Sequence, residues 1–221
     1  MMMHQINMGD DLRERNREIA AENSTMLKKH GVVSVNIMSA PGAGKTSLLV
    51  ASIPGLIEKY RVAVIEGDLQ TSRDAERIAA LDIDVYQIET GGVCHLDASM
   101  VHSALHQLDL DNIDMLLVEN VGNLVCPAEF DIGVDAKVML LSITEGDDKP
   151  KKYPLMFHES DLLIMNKIDL APYVDFDIEK AKDEARDINP SIDIIEISCR
   201  TGQGIQDWVD WMVRLCEERM S

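Results

Sequence analysis

Ser39-Ala40-Pro41-Gly42-Ala43-Gly44-Lys45-Thr46 follows the apolar run 32–38 and precedes a helix-like segment that opens at Ser47. Strand, glycine-rich loop and helix together are the setting of a phosphate-binding loop. Backbone N–H groups of such a loop converge on an anion at a helix N-terminus. Pro41, Gly42, Ala43, Gly44, Lys45, Thr46 and Ser47 are therefore the first candidate nucleotide contacts. Lys45 would reach the β- and γ-phosphates, and the Thr46 hydroxyl would bind Mg²⁺. One position departs from the pattern GxxxxGK[ST]: Ser39 stands where the first glycine is usual. The plainer reading is a glycine-rich turn that only opens a helix. Gly44-Lys45-Thr46 directly after an apolar strand argues against it.

Outward from that loop, apolar runs alternate with helical patterns. Strands are expected at 32–38, 61–66, 85–89, 115–119, 137–144, 162–166 and 193–197. Several are continuous Val/Ile/Leu/Met runs, as parallel strands covered on both faces require. Helices are expected at 45–58, 72–81, 97–108, 178–187 and 204–218. The alternation predicts an α/β fold: a doubly wound, mostly parallel sheet with helices on both faces, binding ligands at the carboxyl ends of its strands. Residues 10–29 read as one further, charged helix with a thin apolar stripe, packed on the domain or on a second subunit. The chain thus divides into an N-terminal helical extension, 1–30, and one P-loop domain, 31–221.

At 221 residues the chain suffices for one such domain with a sizeable core. Its formal net charge of −18 argues against nonspecific nucleic-acid or anionic-membrane binding. Met1-Met2-Met3-His4-Gln5 lacks the basic and apolar regions of a signal peptide, so the expected location is the cytoplasm. Four cysteines in a chain of this kind do not suggest a disulfide framework. Cys216 reads as packing.

Asn166-Lys167-Ile168-Asp169 ends a later strand and has the NKxD form of GTP-binding proteins. A carboxylate can accept from both N1–H and the exocyclic amine of guanine, a donor pair adenine lacks. Asp169 would select guanine, Asn166 would steady the loop and base edge, and the stem of Lys167 would cover the ring. Ser198-Cys199-Arg200 stands where GTPases close over the base; an ordinary loop entering the last helix explains these side chains equally well. Ser198 and Cys199 are taken as base-proximal. Asp68, Asp74 and Glu119 are candidates for the Mg²⁺ shell, at or just beyond strand ends beside the phosphate loop. Asp68 and Asp74 also read as helix-start carboxylates. Lys45, Asp74 and Glu119 form the expected catalytic set. No Gln stands where a water-positioning residue would be, so hydrolysis is expected to be slow.

Cys94 and His95 share one loop and Cys126 lies on the next strand's loop. Thiolate and imidazole suit Zn²⁺ and also hold Ni²⁺. Three ligands leave the fourth position open to water, cargo or a second subunit. By spacing alone, two loop cysteines and a surface histidine account for the same residues.

Taken together these stretches resemble the hydrogenase nickel-incorporation GTPases of the HypB type, in the metal-chaperone branch of P-loop GTPases. The resemblance runs from about residue 10 to the C-terminus. It rests most on Thr90-Gly91-Gly92-Val93-Cys94-His95-Leu96-Asp97-Ala98, on Glu119-Asn120-Val121-Gly122-Asn123-Leu124-Val125-Cys126-Pro127-Ala128, and on Thr144-Glu145-Gly146-Asp147-Asp148. It implies a GTP-dependent homodimer with Cys94, His95 and Cys126 as a nickel or zinc site at its interface. It further implies delivery of nickel to the large-subunit precursor of nickel–iron hydrogenase, alongside a small zinc-containing nickel-binding partner. By the same analogy Lys149 would contact nucleotide across the dimer. The urease-maturation relatives carry Cys-Pro-His, whereas Cys126-Pro127-Ala128 stands here. The N-terminal cysteine-rich nickel motif and polyhistidine tract of some members have no counterpart in this sequence, and His4 is no substitute. A regulatory GTPase with structural zinc, and a P-loop kinase, are the competing classes.

Overall fold

A computed structural model describes residues 8–67, 77–78, 80–81 and 83–220. Among these residues seven strands form one sheet. They are β1 Val33–Ser39, β2 Val62–Glu66, β3 Asp84–Gln87, β4 Met115–Glu119, β5 Ala136–Ser142, β6 Leu162–Asn166 and β7 Asp193–Glu196. Their spatial order is β3-β2-β4-β1-β5-β6-β7, and every neighbouring pair is parallel. The chain moves outward from β1 in one direction, returns through β4, then continues in the other. The loops after β1, β4, β5 and β6 consequently converge at one end of the sheet, where open α/β folds bind ligands.

Eight α-helices connect the strands among the described residues: α1 Met8–Lys29, α2 Lys45–Leu56, α3 Ala98–Leu105, α4 Cys126–Glu129, α5 Lys149–Lys152, α6 Pro154–His158, α7 Ile178–Ile188 and α8 Ile205–Met220. The sheet is apolar on both faces. Val35, Ile37, Leu117 and Val138 pack against Leu48, Leu49 and Ile53 of α2 and Trp208 and Met212 of α8. On the other face Met139, Leu163 and Met165 meet Met156, Phe157 and Ala185. Beside them Ile65, Leu116 and Val118 meet Leu27 of α1 and Val101 and Leu105 of α3.

Each expected strand is present, with its ends shifted by at most two residues. One shift matters: β1 extends to Ser39, so the phosphate loop begins at Ala40. Ser39 is buried strand backbone and needs no glycine. The expected helix 45–58 stops at Leu56 and tolerates Pro54 inside it. Gly55 in it faces Val209 of α8, where a Cβ would make an ordinary van der Waals contact at 3.5 Å. The short α4, α5 and α6 were not expected; each is too brief to carry a 3.6-residue apolar period. Most of the expected helix 72–81 lies outside the described residues.

α1 packs on the domain itself, along α3, despite its polar sequence. Two buried asparagines do what its thin apolar stripe cannot. Asn16 accepts from Ala98 N at 2.9 Å and donates to Asp131 O at 2.7 Å. Asn23 donates to Ala98 O and Ile132 O at 2.9 and 3.1 Å. Gly133 allows the approach: at φ +84, a Cβ there would lie 2.1 Å from Ala20 O. No described helix is long and apolar enough to cross a membrane.

Candidate functional site

The phosphate loop is shaped by glycine and anchored from across the sheet. Gly44 has φ +108, and a Cβ on it would meet Asn166 Nδ2 at 2.5 Å. Only glycine fits both the left-handed backbone and that contact. Asn166 donates from Nδ2 to Ala43 O at 2.9 Å. Its Oδ1 accepts from Lys167 N at 2.7 Å and from Cys199 N at 3.4 Å. One side chain therefore ties the phosphate loop to the loops after β6 and β7. Lys167, in the left-handed region at φ 66, donates from Nζ to Gly42 O at 2.8 Å.

Asp169 faces Ser198, whose hydroxyl donates to Oδ1 at 2.6 Å. Gly44, Ser47, Asn166, Lys167, Asp169 and Cys199 line one cavity of about 400 Å³. Arg77 and Arg200 also border it. The cavity thus runs from the start of α2 to the carboxylate expected to read the base. Burial pushes the Cys199 thiol up to about 11, so at neutral pH it is a packing group rather than a nucleophile.

Lys45 is buried, with Nζ 3.3 Å from Ser39 Oγ and 4.0 Å from Glu119 Oε1. Thr46 Oγ1 donates to Glu119 Oε1 at 2.9 Å. The pairing follows from strand register: β4 lies beside β1, with Glu119 opposite Ile37. A buried carboxylate against the hydroxyl and ammonium of the phosphate loop fits a hard, oxygen-liganded cation. Glu145, after β5, is raised by burial, an effect opposed by its Ser142 N hydrogen bond and by Lys149, Lys167 and Lys45. Asp68 and Asp74 lie outside the described residues.

Cys94, His95 and Cys126 come together in one cluster. Cys94 Sγ and Cys126 Sγ are 3.0 Å apart, and Cys94 Sγ lies 3.7 Å from His95 Nδ1. One ligand atom from each of Cys94, His95 and Cys126 lies within 4.8 Å of the others. An ion with bonds of about 2.0–2.3 Å fits that spread. His95 stacks on Phe130, with ring centroids 4.2 Å apart. Burial lowers its pKa, partly offset by Asp97 and Glu129, and so favours the neutral, ligating imidazole. The Cys126 thiol is pushed up to about 11 by its hydrogen bond with Cys94 and by burial. Without a cation it keeps its proton at neutral pH.

The two sites share one stretch of chain. Directly after Glu119, Asn120 accepts at Oδ1 from Leu96 N at 3.0 Å and donates to Asn36 Oδ1 at 3.1 Å. It therefore clasps the loop that carries Cys94 and His95. Gly122 rests on Pro41, so closely that a Cβ would lie 2.9 Å from Pro41 Cα. Asn123 Oδ1 accepts from Val125 N and Cys126 N at 2.7 and 3.3 Å, setting the turn that presents Cys126. The sequence assigns no role to Asn120, Asn123 or Phe130. An asparagine one residue past a buried strand end was the available signal for the first.

A parallel α/β sheet with this loop and an NKxD segment defines a P-loop nucleotide-binding protein, here with a Cys/His cluster beside the nucleotide site. A protein-family model described as "CobW/HypB/UreG, nucleotide-binding domain" matches residues 33–196, and the chain belongs to that family. Within it the chain falls with the HypB hydrogenase maturation factors. It is 49% identical over 204 residues to that of Azotobacter vinelandii, covering 92% of this chain and 67% of the relative. A probable hydrogenase maturation factor HypB of Methanocaldococcus jannaschii is 41% identical, with 96% of each chain covered. Among solved structures, HypB from Helicobacter pylori in complex with nickel superposes with a TM-score of 0.88 at 36% identity, covering 94% of this chain and 97% of that one.

Proposed function

We propose that this protein is a GTP-hydrolysing metallochaperone for hydrogenase maturation, in which nucleotide state governs a metal-bearing dimer. Residues 31–221 are the GTPase domain and 1–30 its helical extension. Pro41 to Ser47 hold the phosphates, Lys45 balances their charge, and Asn166, Lys167, Asp169, Ser198 and Cys199 surround guanine. Thr46 and Glu119, with Asp68 and Asp74, hold Mg²⁺, which supplies charge neutralisation at the phosphates when bound. Asp74 acts as the switch residue that meets the γ-phosphate, Mg²⁺ or the attacking water.

Cys94, His95 and Cys126 carry Ni²⁺ or Zn²⁺, and a second subunit completes the site. The cargo passes from a small zinc-containing partner toward the hydrogenase large-subunit precursor, in the cytoplasm. The nickel complex of the Helicobacter pylori relative supports the choice of metal. Cys126-Pro127-Ala128 supports the hydrogenase branch over the urease one.

One observation carries the reading. Glu119 accepts from Thr46, and its neighbour Asn120 holds Leu96 N, next to His95. A change of nucleotide that moves Glu119 must therefore strain the metal loop. The test is Ni²⁺ affinity of the protein with GDP and with a non-hydrolysable GTP analogue. A difference of roughly 5–150-fold is expected, the range of ordinary allosteric coupling. Asn120→Ala should shrink it severalfold. Equal affinities in both nucleotide states of the unaltered protein would defeat the proposal, because a nucleotide with no differential effect cannot drive release.

A further inference from the structure

α3 presents a pair of imidazoles outside the Cys/His cluster. His102 lies in α3 and His106 is its C-terminal cap residue, one turn on. Their ring centroids are 4.6 Å apart and the rings nearly perpendicular, at 81°. The two Nε2 atoms approach to 3.1 Å.

Asn23 decides which nitrogens carry protons. Its amide nitrogen donates to two backbone carbonyls, Ala98 O and Ile132 O, which settles the orientation of the amide. Its Oδ1 then faces His102 Nδ1 at 2.8 Å. An oxygen acceptor there requires the proton of His102 to sit on Nδ1. In the neutral ring Nε2 carries the lone pair and points to His106. Metal-ligating histidines are oriented in the same way, with the outer N–H on an oxygen acceptor. Asn23 is fully buried, His102 half-buried and His106 exposed, so the pair is backed by the core and open to solvent.

We propose that His102 and His106 form an accessory site for a borderline divalent cation, Ni²⁺ or Zn²⁺, with water filling the remaining positions. Two histidines at i and i+4 on one helix face can share an ion. With nitrogen–metal bonds of about 2.0–2.1 Å, the 3.1 Å nitrogen separation subtends roughly 100° at the ion, close to octahedral and tetrahedral angles alike. No third His, Cys, Asp or Glu among the described residues completes a cluster there. The site therefore binds more weakly than the triad and exchanges faster. It stands on the helix that directly follows the Cys94–His95 loop, and Asn23 holds both Ala98 and His102. The inference is independent of the nucleotide reading.

The test is calorimetric titration of Zn²⁺ alone, then Ni²⁺ alone, into the Cys94→Ser/His95→Ala/Cys126→Ser variant. One residual equivalent is expected, weakened at least tenfold by adding His106→Ala, a change at an exposed position. In ¹⁵N-imidazole spectra the Nε2 signals of His102 and His106 should shift on metal addition while His102 Nδ1 keeps its proton. If the triple variant does not fold, the otherwise unaltered protein should lose one equivalent on His106→Ala. Absence of residual binding, or binding indifferent to His106→Ala, means the pair is only an Nε2–H···Nε2 hydrogen bond and overturns the proposal.

Discussion

Thr46 Oγ1 donates to Glu119 Oε1 across 2.9 Å, joining the helix after the phosphate loop to the last residue of β4. Lys45 Nζ stands 4.0 Å from the same oxygen. Adjacent parallel strands bring these residues together across 73 positions of sequence. The carboxylate holds the Thr46 hydroxyl in place beside the phosphate loop.

Glu119→Gln keeps the shape and an acceptor for Thr46 but removes the charge. Mg²⁺-dependent GTP hydrolysis should fall by about 10²-fold, as for other oriented electrostatic groups. GDP affinity without Mg²⁺ should change only a few-fold. Single-turnover hydrolysis and equilibrium GDP binding measure the two effects. A hydrolysis rate within twofold of the unaltered protein would remove Glu119 from the catalytic set.

Asp169→Asn should exchange guanine for xanthine. The carboxylate accepts two N–H groups, whereas an amide offers one acceptor and one donor. Hydrogen bonds to a charged group are worth about 1.5–3 kcal/mol, so GTP should weaken by roughly 10- to 150-fold while xanthosine triphosphate gains. Competition between the two nucleotides gives the ratio. Preserved GTP preference would place the base elsewhere.

Metal binding at the triad should strengthen with pH. Cys126 keeps its proton at neutral pH in the metal-free protein, its thiol raised to about 11 by Cys94 and burial. Binding as thiolate must release that proton. His95, lowered by burial, is already neutral and adds none at pH 7. Zn²⁺ affinity should then rise at least tenfold per pH unit between pH 6.5 and 8, measured against a chelator of known protonation. A flat profile would mean Cys126 is not bound as thiolate.

Asp114 should contribute a pH-dependent share of stability. It accepts from Arg61 N, Nε and Nη2 at 2.8, 2.9 and 2.6 Å, pinning the start of β2 to that of β4. The Arg61 side-chain hydrogen bonds hold its pKa below the usual value, against the opposing effect of burial. A depressed folded-state pKa stabilises above the unfolded value of about 3.9, and the gain is lost as pH falls through the folded value. Asp114→Asn should lower the urea midpoint at pH 7, and the gap should close below about pH 4. A gap independent of pH would assign the effect to packing.

The strands were legible because a parallel sheet covered on both faces demands continuous apolar runs, and Met115–Glu119 and Leu162–Asn166 lie where those runs predicted. The phosphate loop was legible because its chemistry is local in sequence. The asparagines were not. Asn16, Asn23, Asn120 and Asn123 act through hydrogen bonds, several to backbone groups far along the chain, and such bonds leave no periodic trace. The short helix at Cys126–Glu129 is likewise set by the Asn123 turn rather than by helical patterning.

The α/β class, the phosphate loop, the NKxD segment and the candidate ligands Cys94, His95 and Cys126 are legible in residue order alone. Each depends on residues that are neighbours in the chain or on a repeating apolar pattern. That Cys94 meets Cys126 at 3.0 Å, that Asn166 braces Ala43, and that Asn120 ties the end of β4 to the loop of Cys94 and His95 is visible only in the folded chain. Those relations depend on the strand order β2-β4-β1-β5-β6. That order is set by how helices and sheet bury their apolar faces together, and no local stretch encodes it.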